Sequence, residues 1–219
     1  MKKPRDNLGF SLIEVLLALG LLAIGMIFIA GVFPVAIHFS TIASERTIAA
    51  VVADEAFAKI RLYGVDRMSL DSGQIPFGGI DPNEFAYPSL YNADILQSKY
   101  CWSALCRRIE DFRLVQVTVF VCRKTGISAR PVPVIVDVSQ ASLDNELLVA
   151  DADADIINDD YTIIDNETGQ LYRVLERSAS RPDTIVLNRD WSGYTADKIW
   201  VIPSGGGRCI AVYQKVIGF

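Results

Sequence analysis

Few side chains in this 219-residue sequence are placed to do chemistry, and the most conspicuous of them is Glu14, a carboxylate at the start of an apolar run. From Val15 to Ile37 there are 23 residues without a charged or polar side chain, against roughly 20 needed to cross a hydrocarbon core as a helix. An acid in such a segment costs roughly 2.5 to 3.5 kcal/mol at the centre and less towards the interface, so it asks for a partner of opposite charge. Catalytic alternatives are thin. The one histidine, His38, sits at the outer edge of the apolar run, which argues against a Ser-His-Asp or Cys-His arrangement and against a histidine-based metal site. Gly205-Gly206-Gly207 has no Lys-Ser/Thr after it and reads as a turn rather than a phosphate loop. Asp151, Asp153, Asp155, Asp159 and Asp160 have the oxygen chemistry that calcium prefers. An EF-hand register from Asp151, however, puts Ile156 where glycine belongs and Thr162 where glutamate belongs. A solvated acidic turn is the favoured reading, with no metal and no cofactor expected.

The elements around Glu14 explain it better than any reaction does. Residues 1–9, MKKPRDNLG, are polar and basic, and the apolar run follows at once. A secretory signal would have an apolar core of about 7 to 15 residues and an A-x-A-like cut, and neither is present. A plain single-pass anchor accounts for the hydrophobicity and the basic leader but not for Glu14. Gly9-Phe10-Ser11-Leu12-Ile13-Glu14 resembles the cleavage and methylation motif of type IV prepilins and type II secretion pseudopilins. The resemblance implies cutting after Gly9 by a prepilin peptidase/methyltransferase, N-methylation of Phe10, and assembly through Glu14 and the Phe10 amine. The physics of these positions agrees. Gly9 has no side chain to obstruct a protease, and cleavage would leave an ammonium at Phe10 in apolar surroundings, where Glu14 of the same or a neighbouring subunit can pair with it. The family's tip-type subunit lacks this glutamate, so the resemblance implies a subunit below the tip.

Lys2, Lys3 and Arg5 keep the leader cytoplasmic by the positive-inside rule, which puts everything after about Phe39 outside. Gly20, Gly25, Gly31 and Pro34 interrupt the helix, and a kink or local melting is expected between Gly25 and Pro34, centred on Gly31 and Pro34. Beyond the membrane, Ile42, Ala49, Val52, Ala56, Ile60 and Tyr63 fall on one helical face, and Gly64 then stops the helix. From Phe10 to Tyr63 that gives 54 residues and roughly 80 Å of helix.

Residues 65–99 are rich in turn formers and read as a connecting loop. In 100–130, Val115, Val117, Val119 and Val121 alternate with Gln116, Thr118, Phe120 and Cys122, a strand signature. If the turn centres on Asp111 and Phe112, then Trp102, Ala104 and Cys106 face Val121, Val119 and Val117, and Cys101 stands opposite Cys122. A Cys101–Cys122 disulfide is therefore the expected bridge if the four cysteines pair. The alternative is that all four remain buried thiols. Tyr100 and Trp102 before the hairpin also resemble minor pilins and minor pseudopilins. In 131–219, strands are expected at 132–138, 161–165, 170–177, 183–191, 197–203 and 208–217, enough for a small barrel or sandwich appended to the head.

The expected fold class is α+β. A leader (1–9) precedes a helix with a transmembrane half (10–38) and an amphipathic half (39–64), then the connector (65–99), the hairpin (100–130) and a C-terminal β module (131–219). The expected function is a minor pilin or pseudopilin of a type IV pilus-like filament, not an enzyme. A type II secretion pseudopilin and a pilus-delivered adhesin or binding module are the alternatives. The partners implied are the prepilin peptidase, other pilin or pseudopilin subunits, an inner-membrane assembly platform and membrane lipid. Location follows: single-pass in the inner membrane with the head periplasmic, then in a filament in the periplasm or at the cell surface. Bulk charge speaks against nucleic acid. The chain carries −5, and losing Lys2, Lys3, Arg5 and Asp6 leaves 18 basic against 25 acidic side chains, net −7.

Overall fold

The computed structural model describes residues 11–66, 70, 73–88, 98–109, 113–124, 130–141, 143–150, 154–177, 181, 183–192, 196–202 and 209–219. Gly9, Phe10, Asp111, Phe112, Asp151, Asp153 and Gly205 to Gly207 lie outside them. The architecture is α+β: one long helix followed by strands. Contacts divide the chain into two compact units, Met1–Glu45 and Arg46–Phe219.

Helix α1 covers Leu12–Tyr63, 52 residues. It stops where expected, because Gly64 takes φ of +75° and donates its N–H to Ile60 O at 3.0 Å. A side chain at that φ would press against its own carbonyl, so glycine is the natural terminator. The helix runs through Pro34 without a break, so local melting between Gly25 and Pro34 is not what the chain adopts. Ring closure leaves Pro34 without an N–H, and the Ala30 carbonyl has no donor one turn on. From Val15 to Ile37 the helix is apolar all round, with Ile27 and Phe28 each more than 70 % exposed.

In the second unit α1 buries Ala49, Val52, Ala53, Ala56, Phe57 and Ile60. The face expected from spacing was nearly this one, but Tyr63 is 51 % exposed and Ala53 and Phe57 belong to the core. The helix packs on a five-stranded antiparallel sheet: β1 (Ile75–Pro76), β2 (Ala86–Tyr87), β3 (Tyr100–Arg108), β4 (Leu114–Arg123) and β11 (Cys209–Gly218). β1 and β2 both pair with β3, so 65–99 is more than a loop. It also carries a 3-10 turn, Pro82–Phe85, and contributes Leu70, Phe77 and Phe85 to the core. The hairpin register is the expected one, with Trp102, Ala104 and Cys106 opposite Val121, Val119 and Val117. These residues and Val115 face the helix, each valine at most 1 % exposed, and each stabilises the fold by roughly 1.5 to 3 kcal/mol.

The other face of the hairpin is buried too, with Cys101, Leu105, Phe120 and Cys122 packed against Ile164, Trp200 and Ile202. The cover is a closed six-stranded barrel of β5 (Val134–Gln140), β6 (Glu146–Val149), β7 (Thr162–Asp165), β8 (Leu171–Arg177), β9 (Thr184–Leu187) and β10 (Lys198–Val201). Its order around the ring is β10-β5-β6-β9-β8-β7, with β7 and β10 paired to close it. Val136, Leu147, Ile163, Tyr172, Val174, Ile185 and Ile199 fill the interior, as a small barrel requires. The barrel is therefore not a C-terminal appendage of 131–219. The last strand, β11, leaves it and pairs with β4 from Gly218↔Leu114 to Cys209↔Cys122. Its strand pattern gave no hint of this partner, which lies far earlier in the chain.

Candidate functional site

Two places position side chains that could act: the start of α1, and the junction where the barrel leaves and re-enters the sheet. At the first, the Ser11 carbonyl accepts from Glu14 N at 3.0 Å and Val15 N at 3.2 Å, so Glu14 stands in the first helical turn. Unsatisfied N–H groups at a helix N-terminus carry partial positive charge, which favours a carboxylate there. Adding a Cβ at Gly20, Gly25 or Gly31 would meet nothing within 4 Å, so no contact inside the chain requires these glycines. At the far end of the apolar run, Thr41 Oγ1 donates to Ile37 O at 2.9 Å and Ser44 Oγ to Ser40 O at 2.8 Å, which satisfies both hydroxyls within the helix.

At the second place, the β7–β8 turn lies on the sheet. Asp165, 2 % exposed, accepts from Glu167 N at 3.2 Å, from Thr168 N at 3.0 Å and from the Thr168 hydroxyl, which shapes the turn. Gly169 completes it at φ of +69° and donates to Asp165 O at 3.0 Å. Sheet side chains then hold the turn from outside. Gln214 Nε2 donates to Gly169 O at 2.8 Å, Gln74 Nε2 to Asp165 O at 2.9 Å, and Arg107 Nη1 to Glu167 O. Arg107 Nε donates to Gln116 Oε1 at 3.0 Å. Burial lowers the Arg107 guanidinium from its usual value, and the Asp165 carboxylate opposes that shift. From the barrel, Trp200 Nε1 donates to Asn166 Oδ1 at 2.9 Å. The expected strands at 161–165 and 170–177 left 166–169 to connect them, but the sequence offered no sign of what these residues dock against.

The cysteines lie at this junction. Cys101 is opposite Cys122 as the register required, but the expected Cys101–Cys122 bridge is absent and all four cysteines are unbonded. Cys101 instead points its thiol at Cys122 O, at 3.8 Å. Cys209, the register partner of Cys122 on its other side, points its thiol at Ala211 O at 3.7 Å and stands within reach of the Cys122 thiol. Cys106 lies on the opposite face, beneath the helix, and burial pushes its thiol up to about 12. Beside Cys209 opens a cleft of about 860 Å³, floored by Phe120, Leu171 and Ile202 and edged by Asp159, Asp160 and Arg173.

Asp155 and Asp160 are engaged by Arg177 and Arg173 at 3.5 and 2.8 Å, and the Asp159 carboxylate accepts from Arg177 N at 2.8 Å. Among the described residues no three His, Cys, Asp or Glu side chains converge as a metal site. His38 is on α1 beside Phe39.

Residues 4–30 match the family model described as the prokaryotic N-terminal methylation motif, a type IV prepilin-like signature. No curated protein and no solved structure matches the chain. The match covers Gly9, Phe10 and Glu14, and it ends within the apolar part of α1.

Proposed function

We propose that this chain is a minor pilin or pseudopilin, a structural subunit of a type IV pilus-like filament. The observation that carries this reading is the methylation motif running directly into an unbroken, exposed, apolar helix. A helix apolar on every side is at home in lipid or in a bundle of its own kind. Prepilin peptidase removes residues 1–9, the Phe10 amine is methylated, and Glu14 pairs with that amine in a neighbouring subunit to set the register. The N-terminus begins cytoplasmic, the helix spans the inner membrane, and the second unit lies in the periplasm before the assembly platform extrudes the subunit. Gly20, Gly25 and Gly31, where an added Cβ would meet nothing in the chain, suit close helix approach between subunits. Gly31 and Pro34 are the points where the helix would bend in that bundle.

The test uses cells that hold the peptidase and an assembly platform. Wild type is expected in sheared filaments, whereas Glu14→Val should still be processed and remain in the membrane. Equal recovery of both forms in filaments would remove Glu14 from assembly. A second reading, a filament-delivered binding module, is favoured by the inserted barrel and its cleft. Replacing residues 130–202 with a short turn should then abolish surface binding while leaving filaments.

A further inference from the structure

Besides packing on the sheet, the barrel is joined to it by two chain segments, one leaving β4 after Arg123 and one returning at Cys209. At that neck three cysteines occupy one row of three neighbouring strands: Cys101 on β3, Cys122 on β4 and Cys209 on β11. All three side chains belong to the same barrel-facing cluster. Directly opposed antiparallel residues have Cα atoms about 4.5 to 5.5 Å apart, within the span a disulfide bridges. Cys122 therefore has two neighbours within reach, and geometry chooses between them.

We propose that Cys122 and Cys209 form a disulfide that closes the neck of the inserted barrel, leaving Cys101 a free thiol beside it. Four observations favour Cys209 over Cys101. Cys209 is the hydrogen-bond partner that acts most strongly on the Cys122 thiol, while the Cys101 and Cys209 thiols each also face a backbone carbonyl, at 3.8 and 3.7 Å. Cys209 is half-buried and lines the open cleft, whereas Cys101 is 4 % exposed. The hydrogen bond from Cys122 holds the Cys209 thiol below its usual value, and burial pushes Cys101 up to about 11. The register shifts between Cys209 and Ala211, and that irregularity lets the Cys209 backbone adjust to the bridge.

The step balances by thiol–disulfide exchange. The Cys209 thiolate attacks one sulfur of an external disulfide oxidant, forming a mixed disulfide and releasing the oxidant's other half as a thiol. The Cys122 sulfur then attacks the Cys209 sulfur and expels the second half, so two protons and two electrons pass to the oxidant. In the cell this rests on the exported location proposed above, where such oxidants persist.

The full chain is purified in detergent, reduced, exposed to oxidised glutathione, then denatured and tagged with maleimide. Two tags without reductant and four with it are expected, and peptide mapping should join Cys122 to Cys209. Cys101→Ala should retain the bridge and Cys209→Ser should lose it. Four tags after glutathione, or a Cys101–Cys122 peptide, overturns the pairing. The same count on membranes from cells carrying the prepilin peptidase tests its occurrence after export, and four tags on leader-free chain overturns that. Leader length is read independently in those spectra, so a bridged chain that keeps its leader sinks the pilin reading while the disulfide stands.

Discussion

Gly169→Ala probes how the barrel is fastened to the sheet. Two costs follow from its position. At φ of +69° a residue with a Cβ pays roughly 1 to 2 kcal/mol of backbone strain. The new Cβ would also stand 2.6 Å from Gln116 Oε1, so that side chain must move. Gln116 is not free to do so cheaply, because it accepts from Arg107 Nε at 3.0 Å, and losing a hydrogen bond to a charged group costs about 1.5 to 3 kcal/mol. Reduced freedom of the unfolded chain offsets about 0.4 to 1 kcal/mol. The net expectation is a loss of about 2 to 4 kcal/mol, read by urea unfolding of the full chain in detergent. Repeating the substitution in a Gln116→Ala background removes the atom struck, and the cost should drop to about 1 kcal/mol, the strain alone. A loss under about 0.5 kcal/mol in wild type, or the same loss in both backgrounds, refutes the claim that the turn is held by contact with the sheet.

Two further outcomes follow from the same packing. Trp200→Ala removes a side chain 8 % exposed, at the barrel–sheet interface and bonded to Asn166, and should cost about 3 to 5 kcal/mol by thermal or urea unfolding, against a smaller loss for Trp200→Phe. The Cys106 thiol, raised to about 12, stays protonated in the native state after the unfolded thiol near 9 has ionised. Its contribution is thus complete below about pH 9 and is lost as pH rises towards 12, at up to about 1.4 kcal/mol per pH unit. Cys106→Ala should flatten the fall in stability between pH 9 and 11, and an unchanged slope would show that this thiol is not held in the low-dielectric core.

What could be read from the sequence depended on how local its cause was. Alternating valines at 115–121 and one turn fixed the hairpin register down to Cys101↔Cys122. Gly64 was legible because a helix stop is a property of a single backbone position. Tyr63 was misassigned because periodicity gives a direction on the helix and not the edge of the surface that covers it. β6 was missed since Glu146–Val149 is four residues, nearly all buried, without alternation. The barrel's place as an insertion was hidden because the partner of β11 lies almost ninety residues earlier in the chain, and strand pattern carries no address. The same non-local pairing hid Cys209 as the neighbour of Cys122. At the N-terminus the reverse holds: Gly9, Phe10 and Glu14 form a contiguous signal that needs no fold to be read.

The most direct test of the filament-subunit reading is mass spectrometry of the mature N-terminus after co-expression with a prepilin peptidase, comparing wild type with Gly9→Ala. A wild-type chain beginning at N-methyl-Phe10 is expected, alongside a variant that keeps residues 1–9. An intact leader on the wild-type chain would contradict that reading, leaving α1 a plain single-pass anchor for the β-rich unit.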